Sequence, residues 1–350
     1  MALAKNDLIK LAKTVANANP ASQVAYSYEG TNLSYSDLND TLRKELNELA
    51  STYALYRENK NTIFSIMEET INDVLPRRVL EQYGKFAEVK TFANGDKPRF
   101  VNKITASARR RAKQFITRVG LAGVYEVFKL DGQYIDVETV AYGGAAQIGF
   151  EEFLDGRVDF AELIDIVMEG LDEAVYKEIA KALVASIESL PTANVKTETE
   201  FVESSMDELI QVADSYGKST IYCTYEFAAT MVPAEGWVSD AMKDQKWNNG
   251  YLANYKGHNV IVLNQSLVDE TNTTKVIDPS YAWIIPTGSN EKPVKIAFEG
   301  QTLVDDRKND DWSKEIQVYR KLGVGALITN NICVYRNTSL TKEVAPTGSI

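Results

Sequence analysis

A chain of 350 residues, 44% hydrophobic and carrying a formal net charge of −11, can hold two domains or one domain with arms and insertions, and is apolar enough to build a core. The acidic balance excludes a general nucleic-acid binder, which needs basic charge to displace counterions from phosphates. No apolar run approaches the ~20 residues of a membrane span, and MALAKNDLIKLAK lacks a signal-peptide core, so synthesis and first use inside a cell are expected.

The opening residues 1–33 hold a short amphipathic segment (Leu3, Leu8, Ile9, Leu11, Val15) and then loosen into NANPASQ and YEGTN, which reads as an arm rather than part of a core. From Leu38 a near-heptad seam runs through Leu42, Leu46, Leu49, Tyr53 and Tyr56. NKNT at 59–62 reads as a break, followed by a second amphipathic helix (Ile63, Met67, Ile71, Val74, Leu75) up to Pro76. This pair is either a partner-binding helical arm or folds back on its own domain. FAEVKTF, Asn94-Gly95 and KPRFV then spell a tight hairpin, and VYEVFKL with QYIDVETV a second one across Asp131-Gly132. Between them lies a basic amphipathic segment, 105–119. Its Arg109, Arg110, Arg111, Lys113 and Arg118 suit a phosphate or a neighbour's acidic surface, or form a solvated face.

AAQIGFEEFLDGRVDFAELID leads into the most regular stretch of the chain. Phe160, Ile164, Val167, Leu171, Val175, Ile179, Leu183 and Ile187 recur at steps of three or four, which predicts a helix of about 30 residues over 159–190. Asp159 and Glu162 cap its start, Pro191 stops it, and Gly170 inside it allows a bend or a close neighbour. Short α/β elements follow. Ser205 and Glu208 form a capping box for a helix with Leu209, Ile210 and Ala213 inward, ending at Gly217. Strands are expected at IYCTY (221–225), NVIVL (259–263), YAWII (281–285) and VKIAF (294–298), together making one compact mixed domain. In EIQVYRKLGVGALI, Ile316, Val318, Leu322 and Val324 alternate with Glu315, Gln317, Tyr319 and Lys321, a half-buried strand returning to the long-helix domain, with ICVYR continuing beyond Asn330-Asn331.

Motifs that would carry chemistry are missing from the sequence. GxxxxGK[ST], HExxH, CxxC and GxSxG do not occur, and no carboxylate spacing singles out a glycosidase-like pair. The one histidine, His258, reads as a surface or strand-edge residue. Cys223 and Cys333 stand far apart in apolar strand-like settings and are expected to be buried free thiols. No catalytic residue, cofactor or metal is therefore expected.

The order of these parts resembles the HK97-type major capsid protein of tailed bacteriophages. The residues that carry the resemblance are AAQIGFEEFLDGRVDFAELIDIVMEGLDEAVYKEIAKAL, STIYCTYEF, GYLANYKGHNVIVLN and DDWSKEIQVYRKLGVGALITNNICVYR, within roughly 60–336. It implies an α+β fold with an N-terminal helical arm (1–75), an extended hairpin loop and the start of a peripheral domain (76–150), a spine helix (151–190), an inserted axial α/β domain (191–312), and a return strand with C-terminal tail (313–350). The implied function is a self-assembling shell subunit, forming hexamers and pentamers of an icosahedral head around double-stranded DNA. The protein would be assembled in the host cytoplasm and located in the virion, without a membrane or sequence-specific DNA contact. Arg109, Arg110, Arg111, Lys113 and Arg118 become candidate inter-subunit contacts. Scaffolding, portal and decoration proteins are the implied partners; a long fused scaffold is not expected, because few residues precede the hairpin region. An encapsulin-type shell around protein cargo is the alternative, and an enzyme with an unrecognised α/β site is the third reading.

Overall fold

A computed structural model describes residues 4–18, 26–28, 31–102, 133–148, 160–232, 239–263, 265, 267, 271–286, 292–308, 314–327 and 330–340. The segment 105–119 with its basic run, VYEVFKL, the lead-in to the long helix with its Asp159 cap, and the tail after 340 lie outside the described residues.

Four helices form one side of the molecule. α1 (Lys5–Asn17) buries Leu8, Ile9, Leu11, Ala12, Val15 and Ala16 in the main core, so this segment is a core element and not an arm. α2 (Tyr35–Ala50) starts at a capping box between Ser34 and Asp37 and buries Leu38, Leu42 and Leu46. α3 (Tyr53–Tyr83) is 31 residues long and is the longest helix among the described residues. The expected break at NKNT falls instead at Ser51–Thr52, where the Thr52 hydroxyl accepts from the Leu55 N–H, and the helix runs through Pro76. Proline there leaves the Asn72 carbonyl without its usual donor, at about 3 kcal/mol. Val74, Leu75 and Val79 around it are fully buried, and burial of each side chain contributes about 1.5–3 kcal/mol, enough to override the stop. α4 (Phe160–Ser186) is the expected long helix, 27 residues ended by a 3₁₀ turn at Ile187–Ser189 before Pro191. Its buried stripe is Met168, Leu171, Val175, Ile179 and Leu183.

These helices cover one face of a four-stranded sheet, order β3 (Ala87–Phe92), β12 (Val294–Lys308), β13 (Lys314–Ala326), β6 (Val140–Ile148). β3 runs parallel to β12, and the other pairs are antiparallel. Val318 and Leu322 of β13 share a core with the α4 stripe, as the two patterns predict. A six-stranded sheet follows, in the order β7 (Val195–Glu198), β14 (Cys333–Asn337), β11 (Tyr281–Pro286), β8 (Ser219–Thr224), β10 (His258–Leu263), β9 (Asn254–Tyr255). One of its faces (Tyr222, Trp283, Ile285, Val334) joins the main core. The other (Ile221, Cys223, Ile284, Cys333, Tyr335) packs on α5 (Glu203–Asp214) and α6 (Tyr225–Thr230). A further helix, α7 (Asp240–Asn249), buries none of its residues, and a small β1–β2 pair (Tyr26–Tyr28, Thr31–Leu33) precedes α2.

Several local expectations change. VKIAF opens β12, which lies in the four-stranded sheet and not with the 191–312 elements, whereas ICVYR joins the six-stranded sheet as β14. A run of five apolar residues reads as a buried strand in either sheet, so the pairing had to come from the fold. The Asn94–Gly95 turn forms, with Gly95 at φ +85°, but β3 and β4 (Arg99–Asn102) do not pair with each other. β4 pairs antiparallel with β5 (Gln133–Asp136). α5 begins two residues before Ser205 without the expected box: the Ser205 hydroxyl donates to Glu198, and the Tyr335 hydroxyl accepts from the Val202 N–H to fix the helix start.

Candidate assembly surface

Among the described residues, no helix covers the outer face of the four-stranded sheet. The segments flanking residues 103–132 lie on it instead, and the alternation of the strands makes room for them. Inward residues of β12 and β13 (Ile296, Phe298, Val318, Leu322) meet the helices; outward ones are Lys295, Ala297, Glu299, Lys321, Gly323 and Gly325. A Cβ on Gly323 would fall 2.2 Å from the Glu138 carbonyl oxygen, and one on Gly325 3.0 Å from the Val137 side chain. The two glycines are therefore the floor on which residues 135–138 rest. Phe100 and Val137 close over Ala297 in a small apolar cluster flanked by Phe92 and Ile135.

Charged groups fasten the edges of this stem. Lys295 is fully buried, its Nζ 2.5 Å from Glu88 of β3 and 5.9 Å from the Phe100 ring centroid. Burial alone would raise the Glu88 carboxyl, but hydrogen bonds from Lys295 and Lys90 outweigh it and leave Glu88 below the usual range. Glu299 accepts from the Thr139 hydroxyl and, at 3.0 Å, from the Gly95 N–H, with Lys321 at 3.4 Å; these bonds lower its carboxyl too. Next to it, Gly300 (φ +69°) makes the β12 bulge against Asn94. On the exposed side of the β4–β5 ladder, Arg99 grips Asp136 through two bonds of 2.7 and 3.1 Å, and Lys97 adds a third at 2.7 Å. Hydrogen bonds from Arg99 and Lys97 hold the Asp136 carboxyl well below its ordinary range. At the tip the cross-strand pair Val101 and Tyr134 is exposed, at 56% and 63%. The two chain ends leading into residues 103–132, with Arg109, Arg110, Arg111, Lys113 and Arg118 between them, thus start from a fixed platform. Those five residues themselves lie outside the described structure.

A second polar cluster ties α3 to the same sheet from inside. Arg320, on the inward face between Val318 and Leu322, is 1% exposed and donates to Asn72 (2.8 Å) and Thr302 (2.9 Å) over the Phe298 ring. Asn72 also accepts from the Thr302 N–H and hydroxyl, and Glu68 from the Val304 N–H. Burial pulls the guanidinium down to about 10, which leaves it charged at neutral pH. The sequence reading missed it, although its position is plain: residue 320 falls on the apolar phase of the alternation.

Three residues have the composition of a hydrolase triad without its connectivity. The Ser219 hydroxyl donates to Asp214 (2.8 Å), His258 Nδ1 lies 3.2 Å from Ser219 Oγ, and His258 Nε2 lies 3.4 Å from the same aspartate. Asp214 accepts from the Ser219 hydroxyl and also from the Ser219 N–H (3.0 Å), so the group closes the α5–β8 turn rather than activating a nucleophile. His258 is correspondingly an enclosed residue next to the edge strand, its side chain 12% exposed, and not a surface one. Cys223 and Cys333 are buried free thiols, as expected, their thiols pushed up to about 12 by burial. Among the described residues no group of His, Cys, Asp or Glu is placed to hold a metal, and no helix is long and apolar enough to cross a membrane.

Comparison with known proteins places this architecture. A crystallised phage-related protein from Bordetella bronchiseptica RB50 superposes with a TM-score of 0.50 at 12% identity, over 77% of this chain and 97% of that one, a likeness of fold. The head structure of Helicobacter pylori bacteriophage KHP40 gives 0.47 at 12% identity (74% and 91% covered). The holo-SrpI encapsulin complex of Synechococcus elongatus PCC 7942 gives 0.41 at 11% (61% and 78%). No curated protein matches the chain. The model of the family described as "SPbeta prophage-derived putative capsid protein YonB" matches residues 7–335, from the first turn of α1 into β14, and the chain belongs to this capsid-protein family.

Proposed function

We propose that this capsid protein is the major subunit of a tailed-phage head, whose copies form hexamers and pentamers that close into an icosahedral shell around double-stranded DNA. The observation that carries the reading is the family match over residues 7–335, together with a loop stem clamped to the outer face of one sheet. On this reading the four-stranded sheet with α1–α4 lies at the capsomer periphery and the six-stranded sheet at its axis. The basic run Arg109, Arg110, Arg111, Lys113 and Arg118 meets an acidic neighbour, where opposite charge guides register and on-rate. The net charge of −11 suits a wall that holds DNA without adhering to it. The chain acts by self-association, with no reaction catalysed, and works with scaffolding, portal or decoration proteins in the host cytoplasm before residing in the virion. Many weak contacts per subunit suffice for such a lattice.

Negative-stain microscopy of the purified protein, alone and co-expressed with its neighbouring genes, tests this. Closed shells that protect double-stranded DNA from nuclease are expected. Shells filled with a protein cargo would give the encapsulin reading instead, and a monodisperse monomer under every condition would overturn both.

A further inference from the structure

A cleft of about 450 Å³ opens between the C-terminal end of α3, the middle of α4 and strands β8 and β10. Its mouth is acidic: Glu169, Asp172 and Glu173 follow one another on one side of α4, faced by Lys85 and, close to Asp172, Arg78. Its walls are aromatic. Tyr83 stacks on Tyr176 with ring centroids 6.1 Å apart, and Phe86 meets Tyr222 edge-on at 5.0 Å. Behind Phe86, Tyr176, Tyr222 and Leu263 lies a separate apolar pocket of only about 20 Å³, lined also by Ile179, Leu183 and Trp283.

Among the buried polar atoms of this cleft, Asp172 Oδ1 and the Tyr222 hydroxyl accept or donate no hydrogen bond among the described residues. Tyr222 as a whole is 3% exposed. Burial raises the Asp172 carboxyl above its ordinary value despite a hydrogen bond from Gln82. Buried polar atoms in folded proteins nearly always have a partner, in the protein, in ordered water or in a ligand, and here two acceptors share one cavity. An anion is repelled by three carboxylates. A neutral apolar molecule would leave Asp172 Oδ1 unpaired. A hard metal ion would find too few oxygens among these rings.

We propose that the cleft binds an organic cation, an ammonium or guanidinium carried on an alkyl stem. The cationic head donates to Asp172 and the Tyr222 oxygen, both able to accept. The rings of Tyr83 and Tyr176 flank it, and the stem lies along Phe86, Ile261 and Leu263 of the cleft lining. Two sources offer this chemistry: a free polyamine, or a basic side chain of another copy of the chain. The binding itself does not depend on the shell reading.

Titration of the unassembled full-length protein with spermidine, followed by calorimetry, is the first arm. Saturable binding of one spermidine per chain is expected, weakened about tenfold or more in Asp172→Asn and severalfold in Tyr222→Phe, with both variants checked for an unchanged thermal transition. Asp172→Asn removes a desolvated charge, so it is expected to fold. The second arm repeats the titration on assembled shells. Loss of the site there assigns the occupant to a neighbouring copy's basic side chain, and its retention assigns it to the free amine. No saturable binding by the wild-type chain, or binding equally tight in both variants, would overturn the proposal.

Discussion

The two sheets are each covered on both faces, but by different materials. The six-stranded sheet lies between the main core and a second apolar core in which Phe227, Met206, Leu209, Ile221 and Tyr335 meet. The four-stranded sheet has the same main core on one side and, on the other, the β4–β5 pair with residues 137–139, held by Lys295–Glu88, Glu299 and two glycines. One cover is fixed by apolar burial, and the other by a small cluster and titratable pairs. A cover of the second kind can be loosened while the fold stays intact, which suits the contact with another subunit proposed for residues 103–132.

The largest effect should come from the apolar side. Phe227→Ala opens a cavity in the second core and is expected to cost about 3–5 kcal/mol, seen as a lower denaturant midpoint at constant slope. Asn72→Leu comes next. It leaves the Thr302 N–H and hydroxyl without their acceptor inside the main core and Arg320 with Thr302 as its remaining partner there, at about 3 kcal/mol. Arg320→Met, by contrast, leaves Asn72 satisfied by Thr302, so the account expects it to be neutral or stabilising. A loss as large as that of Asn72→Leu would show the guanidinium to be essential.

Gly323→Ala should cost about 1–3 kcal/mol, because the Glu138 carbonyl must move. The loss should be concentrated in the stem: hydrogen exchange at Val137, bonded to Pro98, should quicken while that of Ile284 in β11 holds. Equal quickening at both would erase the contrast between the sheets. Acid gives a gentler version. Glu88, Glu299 and Asp136 have carboxyls lowered in the fold, so their contribution is present above about pH 4 and is lost as the pH falls through their folded values. Protection at Gly95 and Val137 should therefore drop ahead of protection in β11. The smallest effect is favourable. Gly170 is exposed on α4 and a Cβ there would meet nothing within 4 Å, so Gly170→Ala should add about 0.5–1 kcal/mol to the isolated subunit.

The parts legible in the sequence were those whose periodicity is itself the physics. The α4 stripe and the Val318–Leu322 alternation each declare a buried face, and the two faces meet. Pro76 misled because a local stop of a few kcal/mol lost to burial of Val74, Leu75 and Val79, which no local pattern weighs. β12 was assigned to the wrong sheet because its first five residues look the same in either. The platform of the candidate site was half visible: Gly323 and Gly325 fall on one phase of KLGVGA, and small residues at period two mark a surface that something must approach. The buried arginine was visible by the same phase. Arg320 was assigned to neither side of the strand, although its position between Val318 and Leu322 places it inward.

The central claim is that the stem holds residues 103–132 for contact with a neighbour. The most direct measurement compares wild type with the triple variant Arg109→Ala, Arg110→Ala, Arg111→Ala, following shell yield by light scattering at moderate salt beside the thermal unfolding of the unassembled subunit. The account predicts a clear fall in shell yield with the unfolding transition unmoved, because charge on this segment serves association and not the fold. Shells formed by the triple variant in wild-type yield would contradict it and return these arginines to a solvated face.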